Sequence, residues 1–380
     1  MAQQHYDFIF AGGGLASLMT LQRMVQSGSF TGKSILVIEP DSNKGNDRTW
    51  CFWEEGSGEW DSLLSKQWDY ALFADAGFSR RMQLAPYRYK MLRSADFYGS
   101  VRGLIKQNSD VTIVEDSVTA FTDNGSIVTV TTALSTYTCN KLFNSIYKPE
   151  MAQKSKYPLL QQHFIGWFIK TDKPAFDSGC VTFMDFSVPQ RGNTRFMYVL
   201  PLSETEALVE YTLFSKDLLP LTEYEDAIKD YLADRGVSHY TITETEKGNI
   251  PMTCYPFWED NTKNIMNIGS AGGWTKASTG YTFKNTTKKS SELVSFLQKQ
   301  DDFRKMGGKN RFWFYDLLLL DILYKTNEIG STIFSAMFRK VRPQLIFKFL
   351  DEETTFAEEL KVIWACPKMP FIKALFRNLF

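Results

Sequence analysis

The sequence predicts an α/β fold with a parallel sheet, and three observations support that prediction. A short apolar run, residues 6–11 (YDFIFA), enters three consecutive glycines. Apolar residues then recur at helical spacing from Leu15 to Val25, and Gly28 is placed to end that helix. A second apolar run, residues 34–38 (SILVI), ends at an acidic residue. Strand, glycine turn, helix and strand are the parts of a βαβ unit, whose two strands are parallel.

The glycine turn, Gly12-Gly13-Gly14, is typical of a dinucleotide-binding unit. Gly12 permits the tight turn. Gly14 lets a pyrophosphate approach the backbone N–H groups at the positive end of the helix, which begins at Leu15. Glu39 follows the second strand and can accept hydrogen bonds from ribose hydroxyls. We therefore predict a dinucleotide site here, with a βαβ unit that binds no ligand as the alternative.

A second glycine-rich segment, residues 267–273 (NIGSAGG), precedes residues 278–281 (STGY) and a helical stretch at 286–298. Small residues between a strand and a helix start favour anion binding. The backbone candidates for cofactor contact are Gly269, Ala271, Gly272 and Gly280.

Two further segments extend the predicted sheet. Residues 111–115 form an apolar β-branched run, which predicts another strand. Residues 118–121 and 127–132 flank Asn124-Gly125, a pair typical of a β-hairpin turn.

Composition limits the possible functions. The 380 residues exceed one typical domain, which predicts two or three lobes around one ligand. The 43 basic and 43 acidic residues give zero net charge, so nucleic-acid binding is not expected. Aromatic residues reach 15%, which fits either a large aromatic core or a site for an elongated apolar or cationic species.

The cysteine pattern and the apolar runs bear on compartment and membrane topology. Five scattered cysteines without a CxxC pair, and only three histidines, predict no metal site and a reducing compartment. The N-terminus carries no signal-peptide pattern. The longest apolar candidate, residues 312–324, is interrupted by Asp316 and Asp321, so no membrane span is expected.

One acidic residue stands out on a predicted hairpin formed by residues 195–202 and 207–214. Strand alternation places Glu210 on one face with Leu208, Thr212 and Phe214. Burial among such neighbours would raise its pKa and keep the carboxyl protonated, as a general acid requires. The alternative is an exposed strand face on which Glu210 is an ordinary surface charge.

Several separate patches, in order along the chain, resemble the bacterial lycopene β-cyclase family. They comprise residues 7–17 (DFIFAGGGLAS), 47–53 (DRTWCFW), 162–167 (QHFIGW), 183–186 (FMDF), 196–202 (FMYVLPL) with 209–212 (VEYT), and 349–354 (FLDEET).

The resemblance implies a Rossmann-type FAD-binding fold of the aromatic-hydroxylase-like kind, with an inserted β-rich substrate domain and a helical C-terminal region. The expected FAD-binding domain comprises residues 1–48, 88–150 and 251–300. The expected substrate domain comprises residues 49–87 and 151–250, and the helical region comprises residues 301–380.

The resemblance also implies cyclisation of the ends of lycopene to β-ionone rings without net redox change. The cofactor would be FAD in its reduced form, with NAD(P)H as the reductant. Glu210 would be the acid that protonates the substrate. Glu352 and Glu353 are candidates for proton handling or for shaping the site, unless they are a charge pair at a helix start, and Asp185 would orient its neighbours.

Lycopene resides in bilayers, so a cyclase of this kind has to dock on the inner face of the cytoplasmic membrane. In residues 370–380, five apolar side chains share a helical stripe: Phe371, Ile372, Leu375, Phe376 and Leu379. Four basic residues and no acidic ones occur from Lys361 onward. A C-terminal helix packed on the protein body is the alternative.

Two other functions are compatible with the sequence. A flavin-dependent monooxygenase or reductase acting on an apolar substrate would share the nucleotide-binding unit. A non-catalytic protein that binds carotenoid or flavin is the third possibility.

Overall fold

The structure is a computed structural model that describes residues 4–41 and 44–379. Residues 1–3, 42, 43 and 380 fall within the predicted domains but lie outside the described residues. The strands are β1 (Gln4–Ala11), β2 (Ile35–Ile38), β3 (Thr49–Glu55), β4 (Lys66–Trp68), β5 (Tyr70–Asp75), β6 (Phe78–Gln83), β7 (Tyr87–Arg93), β8 (Val111–Val114), β9 (Val118–Asp123), β10 (Val128–Thr132), β11 (Thr136–Asn144), β12 (Leu159–Thr171), β13 (Cys180–Asp185), β14 (Thr194–Pro201), β15 (Glu206–Ser215), β16 (Tyr240–Thr253) and β17 (Ile265–Asn267). The α-helices are α1 (Leu15–Ser27), α2 (Ser94–Lys106), α3 (Pro149–Gln153), α4 (Leu221–Asp234), α5 (Phe283–Leu297), α6 (Arg311–Lys325), α7 (Gly330–Lys340), α8 (Pro343–Leu350), α9 (Phe356–Ala365) and α10 (Lys368–Leu379).

The first sheet carries the predicted βαβ unit. Its strand order is β8-β2-β1-β11-β10-β9, with β17 pairing with β11. Strands β8, β2, β1, β11 and β17 are parallel, and the hairpin of β9 and β10 continues the sheet in antiparallel fashion. Helix α1 ends where Gly28 adopts φ 68°, a left-handed conformation that glycine tolerates without strain. The predicted βαβ unit and Rossmann-type fold are confirmed.

The second sheet is the inserted β-rich part. Its order is β16-β12-β15-β14-β13-β5-β6, antiparallel except for the pair β13 and β5. On one face, side chains of β12, β14 and β15 pack against helix α4 in an apolar cluster. On the other face, apolar side chains pack against the C-terminal helices α6, α7 and α8. Both faces of its central strands are therefore covered.

A small third sheet joins these parts, with β7 between β3 and β4. The predicted boundary at residue 88 therefore falls inside β7, and the structure assigns this strand to the small sheet rather than to the first one. The sequence of β7 (YRYKMLR) does not by itself indicate which sheet it joins, and its pairing with β3 and β4 fixes its location.

The C-terminal part of the chain, residues 311–379, contains helices α6 to α10. The apolar stretch 312–324 lies within α6, where the charged side chains of Asp316 and Asp321 form ion pairs with Lys276 and Arg377. Among the described residues, no helix is both long enough and apolar enough to cross a bilayer.

Candidate functional site

One large cavity of about 940 Å³ runs between the three parts of the fold. At one end it reaches Gly14 and Leu15 at the start of α1. Its middle is walled by the second sheet, and its other end is lined by Trp364 of α9 and Ile372 of α10. We call these regions the nucleotide end, the carboxylate region and the mouth.

The nucleotide end is shaped by the glycine turn. Gly12 adopts φ 96°, and a Cβ there would lie 2.3 Å from Ser145 Oγ, so no other residue fits without rearrangement. The Gly13 N–H donates to Glu39 Oε2 at 2.6 Å, which brings the predicted ribose acceptor to the turn. Gly14, at the N-cap of α1, has no side chain and makes no capping hydrogen bond to the positive end of the helix.

The second glycine segment lies against the first. Gly269 adopts φ 59°, and a Cβ at this position would lie 3.0 Å from Ala16 Cβ of helix α1. A Cβ at Gly272 would lie 2.2 Å from the carbonyl oxygen of Asn267, and Ala271 between them is buried. Gly280 has φ 73° and lines the cavity together with Gly269. Of the predicted backbone contacts, Gly14, Leu15, Gly269 and Gly280 line the cavity.

Several buried polar atoms near this end fit a large polar ligand. Thr286 Oγ1 and Gln162 Oε1 line the cavity and have no hydrogen-bond partner among the described residues. Lys44 also lines it and forms an ion pair with Glu39 at 2.9 Å. Unsatisfied buried polar groups are costly, so these atoms are expected to bind a ligand or water. Together with the glycine turns, they fit a dinucleotide with a polar ring system.

The carboxylate region contains Glu210, as the strand pattern predicts. Leu208, Glu210, Thr212 and Phe214 of β15 all line the cavity, while the alternate residues of this strand face α4. The Glu210 side chain is buried, and Thr212 Oγ1 donates a hydrogen bond to its Oε1. The alternative of an exposed strand face is wrong because α4 covers one face and the C-terminal helices cover the other.

Burial raises the pKa of Glu210 to about 8. The hydrogen bond from Thr212 lowers it, and the negative charge of Glu246 raises it. At neutral pH the carboxyl is therefore mainly protonated, so Glu210 has a proton to donate into an apolar cavity.

A cross-strand row surrounds Glu210. The row runs across four neighbouring strands, and each residue in it is the register partner of the next: Tyr198 of β14, Glu210 of β15, Gly166 of β12 and Glu246 of β16. Directly paired residues point to the same face of a sheet, and the three side chains of this row all line the cavity. Gly166, between the two carboxyl-bearing residues, contributes no side chain, and the end of the Leu208 side chain lies against it.

Glu246 and the tyrosines were not identified from the sequence. Glu246 is buried, and it accepts hydrogen bonds from Thr49 N at 2.9 Å and Thr49 Oγ1 at 2.5 Å. Its strand reads TITETEKGN, which resembles a solvated edge strand, so no local pattern marks this one acid as buried. Its environment is created by β3, which is distant in sequence.

Three tyrosine hydroxyls form a hydrogen-bonded group beside the row. The hydroxyl of Tyr89 lies 2.6 Å from that of Tyr198 and 2.8 Å from that of Tyr281. Burial raises the pKa of all three phenols, so they remain neutral. Tyr198 and Tyr281 line the cavity, which gives this apolar wall a polar edge.

The other predicted acids do not line the cavity. Asp185 is buried on the α4 side, where its carboxylate accepts hydrogen bonds from Tyr231 Oη at 3.0 Å and Arg235 at 2.6 Å. Its neighbours Phe183 and Met184 do reach the cavity.

Glu352 and Glu353 lie in the turn between α8 and α9, after the cavity residues Phe349 and Leu350. Glu352 pairs with Lys276 at 2.8 Å, and Glu353 pairs with Lys288 at 2.7 Å. Burial raises the pKa of Glu352, but the charge and hydrogen bond of Lys276 and the hydrogen bond from Asn310 together lower it, so the net shift is downward.

These two acids are not a helix-start pair. Helix α9 begins after Thr355, which forms a capping box with Glu358. Glu352 has φ 63°, an uncommon conformation for a residue with a side chain, and it follows the end of α8.

The mouth lies between α9 and α10, which carry an exposed apolar surface. We define the apolar rim as the exposed side chains Phe356, Leu360, Ile363, Trp364, Met369, Ile372, Phe376 and Leu379. The predicted stripe on α10 divides into two. Phe371 and Leu375 pack towards α6, whereas Ile372, Phe376 and Leu379 belong to the rim. One side of this helix therefore packs on the body and the other is exposed, and its contact with a membrane stays a prediction.

The fold is shared with solved flavoproteins. A flavoprotein/dehydrogenase from Cytophaga hutchinsonii aligns over 99% of each chain with a TM-score of 0.60 and 14% identity. A p-nitrophenol 4-monooxygenase from Pseudomonas putida aligns over 99% of this chain and 98% of its own, with a TM-score of 0.60 and 10% identity. A halogenase variant in complex with FAD aligns over 98% and 90%, with a TM-score of 0.61 and 11% identity. At these identities the similarity concerns the fold alone.

Sequence comparison is more specific. A lycopene beta-cyclase from Pantoea ananas is 25% identical over 398 aligned residues, which cover 98% of both chains. A lycopene beta-cyclase from Paracoccus sp. is 25% identical over 229 residues, and the match spans 56% of this chain and 58% of that relative. The family model described as lycopene cyclase protein matches residues 7–376. The chain therefore belongs to the lycopene cyclase family.

Proposed function

We propose that this protein is a lycopene β-cyclase, which converts the acyclic ends of lycopene to β-ionone rings without net redox change. The observation that carries the proposal is the buried, protonated carboxyl of Glu210 in a long apolar cavity that begins at a dinucleotide-binding turn. Membership of the lycopene cyclase family supplies the substrate class.

FAD is the proposed cofactor. Its pyrophosphate would lie at the Gly12-Gly13-Gly14 turn and the start of α1, its ribose at Glu39, and its ring system beside Gly269 and Gly280. When bound in its reduced form, FAD supplies negative charge that stabilises a nearby carbocation. NAD(P)H is the proposed source of the reducing electrons.

Glu210 is the proposed proton donor. Its proton adds to C2 of the terminal C1=C2 double bond and leaves a tertiary cation at C1. The electrons of C5=C6 then form the C1–C6 bond, which moves the cation to C5. Loss of the proton at C6 restores a double bond as C5=C6. The product is an isomer of the substrate, so the cycle consumes no oxidant or reductant.

The walls of the cavity suit a cationic intermediate. Aromatic side chains from both the second sheet and the C-terminal helices face it, including Phe183, Phe196, Phe214, Phe334 and Phe338. Aromatic faces attract cations, and apolar walls exclude the water that would trap one. The high aromatic content therefore serves both predicted purposes, a large core and a lined site.

The apolar rim is the proposed contact with the membrane, on its cytoplasmic face. Three rim residues also line the cavity mouth: Ile363, Trp364 and Ile372. Lys368 lines the mouth beside them. Nearby, Glu358 is paired with Lys348 and Glu359 is paired with Arg311. The basic residues of α10 therefore give this face a net positive charge. An apolar surface with basic residues favours anionic bilayers, and lycopene would enter without crossing water.

The test is product analysis after anaerobic incubation of the protein with FAD, NADPH and lycopene in liposomes. We expect β-carotene, with γ-carotene as the one-ring intermediate, and NADPH consumption that does not scale with product. A monooxygenase or reductase would instead consume NADPH with each turnover, and a binding protein would return lycopene unchanged. Either of those results would overturn the proposal.

A further inference from the structure

We propose that Glu246 is the base that removes the C6 proton. Glu246 then returns this proton to Glu210, which lies on the other side of Gly166 in the row. This inference rests on the proposed function and adds a second catalytic residue to it. It is based on the position of Glu246 in the cross-strand row and on its hydrogen bonds.

The cross-strand row sets the spacing of the two carboxyls. Glu210 and Glu246 are both register partners of Gly166, on the strands at either side of β12. Neighbouring strands lie about 4.8 Å apart, so the Cα atoms of the two acids are separated by about 10 Å. Both side chains line the cavity, so two carboxyl groups face the same ligand from one face of the sheet.

The spacing between the two acids depends on glycine at position 166, which has no side chain. A Cβ at position 166 would lie 2.8 Å from Leu208 Cδ1 and 3.3 Å from Glu210 Cβ. Any larger residue would therefore displace Glu210 and separate the two acids. With glycine, the flexible end of Leu208 occupies this place, and a water molecule in the cavity can carry one proton from one carboxyl to the other.

The hydrogen bonds of the two acids differ in a way that suits different roles. Each oxygen of Glu246 accepts one hydrogen bond from Thr49, which favours the ionised form. Glu210 is in contact with a single hydroxyl, that of Thr212. Burial raises the pKa of Glu246 on balance, and the Thr49 bonds and the charges of Arg93 and Arg48 oppose that rise. Two acids in unequal environments provide an acid and a base at one pH.

The proton balance closes within the site. Glu210 loses its proton to C2, and the electrons of the C6–H bond become the new C5=C6 bond as Glu246 takes the proton. Glu246 then returns this proton to the Glu210 carboxylate. The site is restored for the second ring without proton uptake from solvent.

Glu246→Gln tests the assignment because ring type reports on the base. The C5 cation can also lose a proton from C4, which gives an ε ring, or from its methyl group, which gives an exocyclic double bond. We expect Glu246→Gln to bind FAD, to cyclise at least tenfold more slowly and to form a measurable fraction of these other rings. Glu206→Gln, a surface acid on β15 paired with Lys170, is the matched control and should form β rings at the wild-type rate.

A purely structural role for Glu246 is tested by Thr49→Val. This variant removes one hydrogen bond to Glu246 but keeps the base, so we expect β rings only. The inference is overturned if Thr49→Val gives the same ring mixture as Glu246→Gln, or if Glu246→Gln forms only β rings within twofold of the wild-type rate.

If Glu246→Gln fails to retain FAD, Glu246→Asp carries the test. Its carboxylate is withdrawn by one methylene, so we expect at least fivefold slower cyclisation with some ε ring, and wild-type rate and ring type would overturn the inference. Failure of the wild-type protein to cyclise lycopene would instead count against the proposed function itself.

Discussion

The nucleotide end and the carboxylate region of the cavity are built in different ways. At the nucleotide end, the glycine turn, the start of α1 and Glu39 come from one βαβ unit, and Gly269 and Gly280 come from a second glycine-rich segment. The carboxylate region draws Tyr198, Glu210, Gly166 and Glu246 from four strands spread over residues 159–253. Function at the first depends on backbone conformation, and function at the second depends on side chains brought together by register.

This difference predicts different failures on mutation. A substitution at the nucleotide end should act through the backbone and weaken cofactor binding. A substitution in the carboxylate region should leave the cofactor bound and change the chemistry. The following predictions test this separation, from the largest expected effect to the smallest.

Glu210→Gln should cost the most activity. General acid catalysis contributes roughly 10²- to 10⁴-fold, so cyclisation should fall by about that factor while FAD stays bound. The measurement is the initial rate of β-ring formation with FAD content determined on the same sample. Glu204→Gln, on the exposed turn of the same hairpin, serves as the control. A Glu210→Gln rate equal to wild type would remove Glu210 from the mechanism.

Gly12→Ala should weaken FAD binding by more than about tenfold, since the left-handed backbone and a contact of 2.3 Å to Ser145 Oγ both oppose a Cβ. FAD affinity is measured by fluorescence titration of the apoprotein. Gly99→Ala in helix α2, where a Cβ meets nothing within 4 Å, should bind FAD normally. Tight FAD binding by Gly12→Ala would show that the turn is not the phosphate site.

The pH dependence of the reaction should follow Glu210. Its pKa is raised from 4.5 to about 8, and the protonated form is the active one. Activity should therefore be present below pH 8 and fall about tenfold for each pH unit above it. The residual activity of Glu210→Gln should be flat over the same range. A wild-type profile without this alkaline decline would contradict the assignment.

The same shift affects folding stability. The pKa of Glu210 is higher in the folded state than in the unfolded state. Its contribution to the free energy of unfolding is therefore complete below pH 4.5 and is lost as pH rises through about 8. Denaturant unfolding of Glu210→Gln should lack this part of the pH dependence.

Removing apolar area from the rim should have the smallest effect on chemistry. The double variant Ile372→Ser, Phe376→Ser should bind anionic liposomes about five- to tenfold more weakly and should cyclise detergent-dispersed lycopene normally. Flotation with liposomes measures the binding. These point variants are preferable to deletion of α10, because Ala374 is fully buried and Arg377 pairs with Asp321 of α6. Unchanged flotation would exclude the rim as the docking surface.

Much of the fold follows from local sequence patterns. The glycine turn, the end of α1 at Gly28 and the Asn124-Gly125 hairpin are predicted correctly, because each depends on a few adjacent residues with special backbone preferences. The face of β15 that carries Glu210 also follows from alternation alone. The assignment of β7 does not, since its partners β3 and β4 are a matter of topology.

The sequence by itself determined the nucleotide-binding turn, the hairpin with one acid among apolar neighbours, and the family. The tertiary structure decided that Glu210 is buried, that Glu246 shares its cavity, and that Asp185, Glu352 and Glu353 do not line it. The physical reason is that backbone conformation is set by neighbours in the chain. Burial and strand register are set by residues that meet only after folding, as Thr49 meets Glu246.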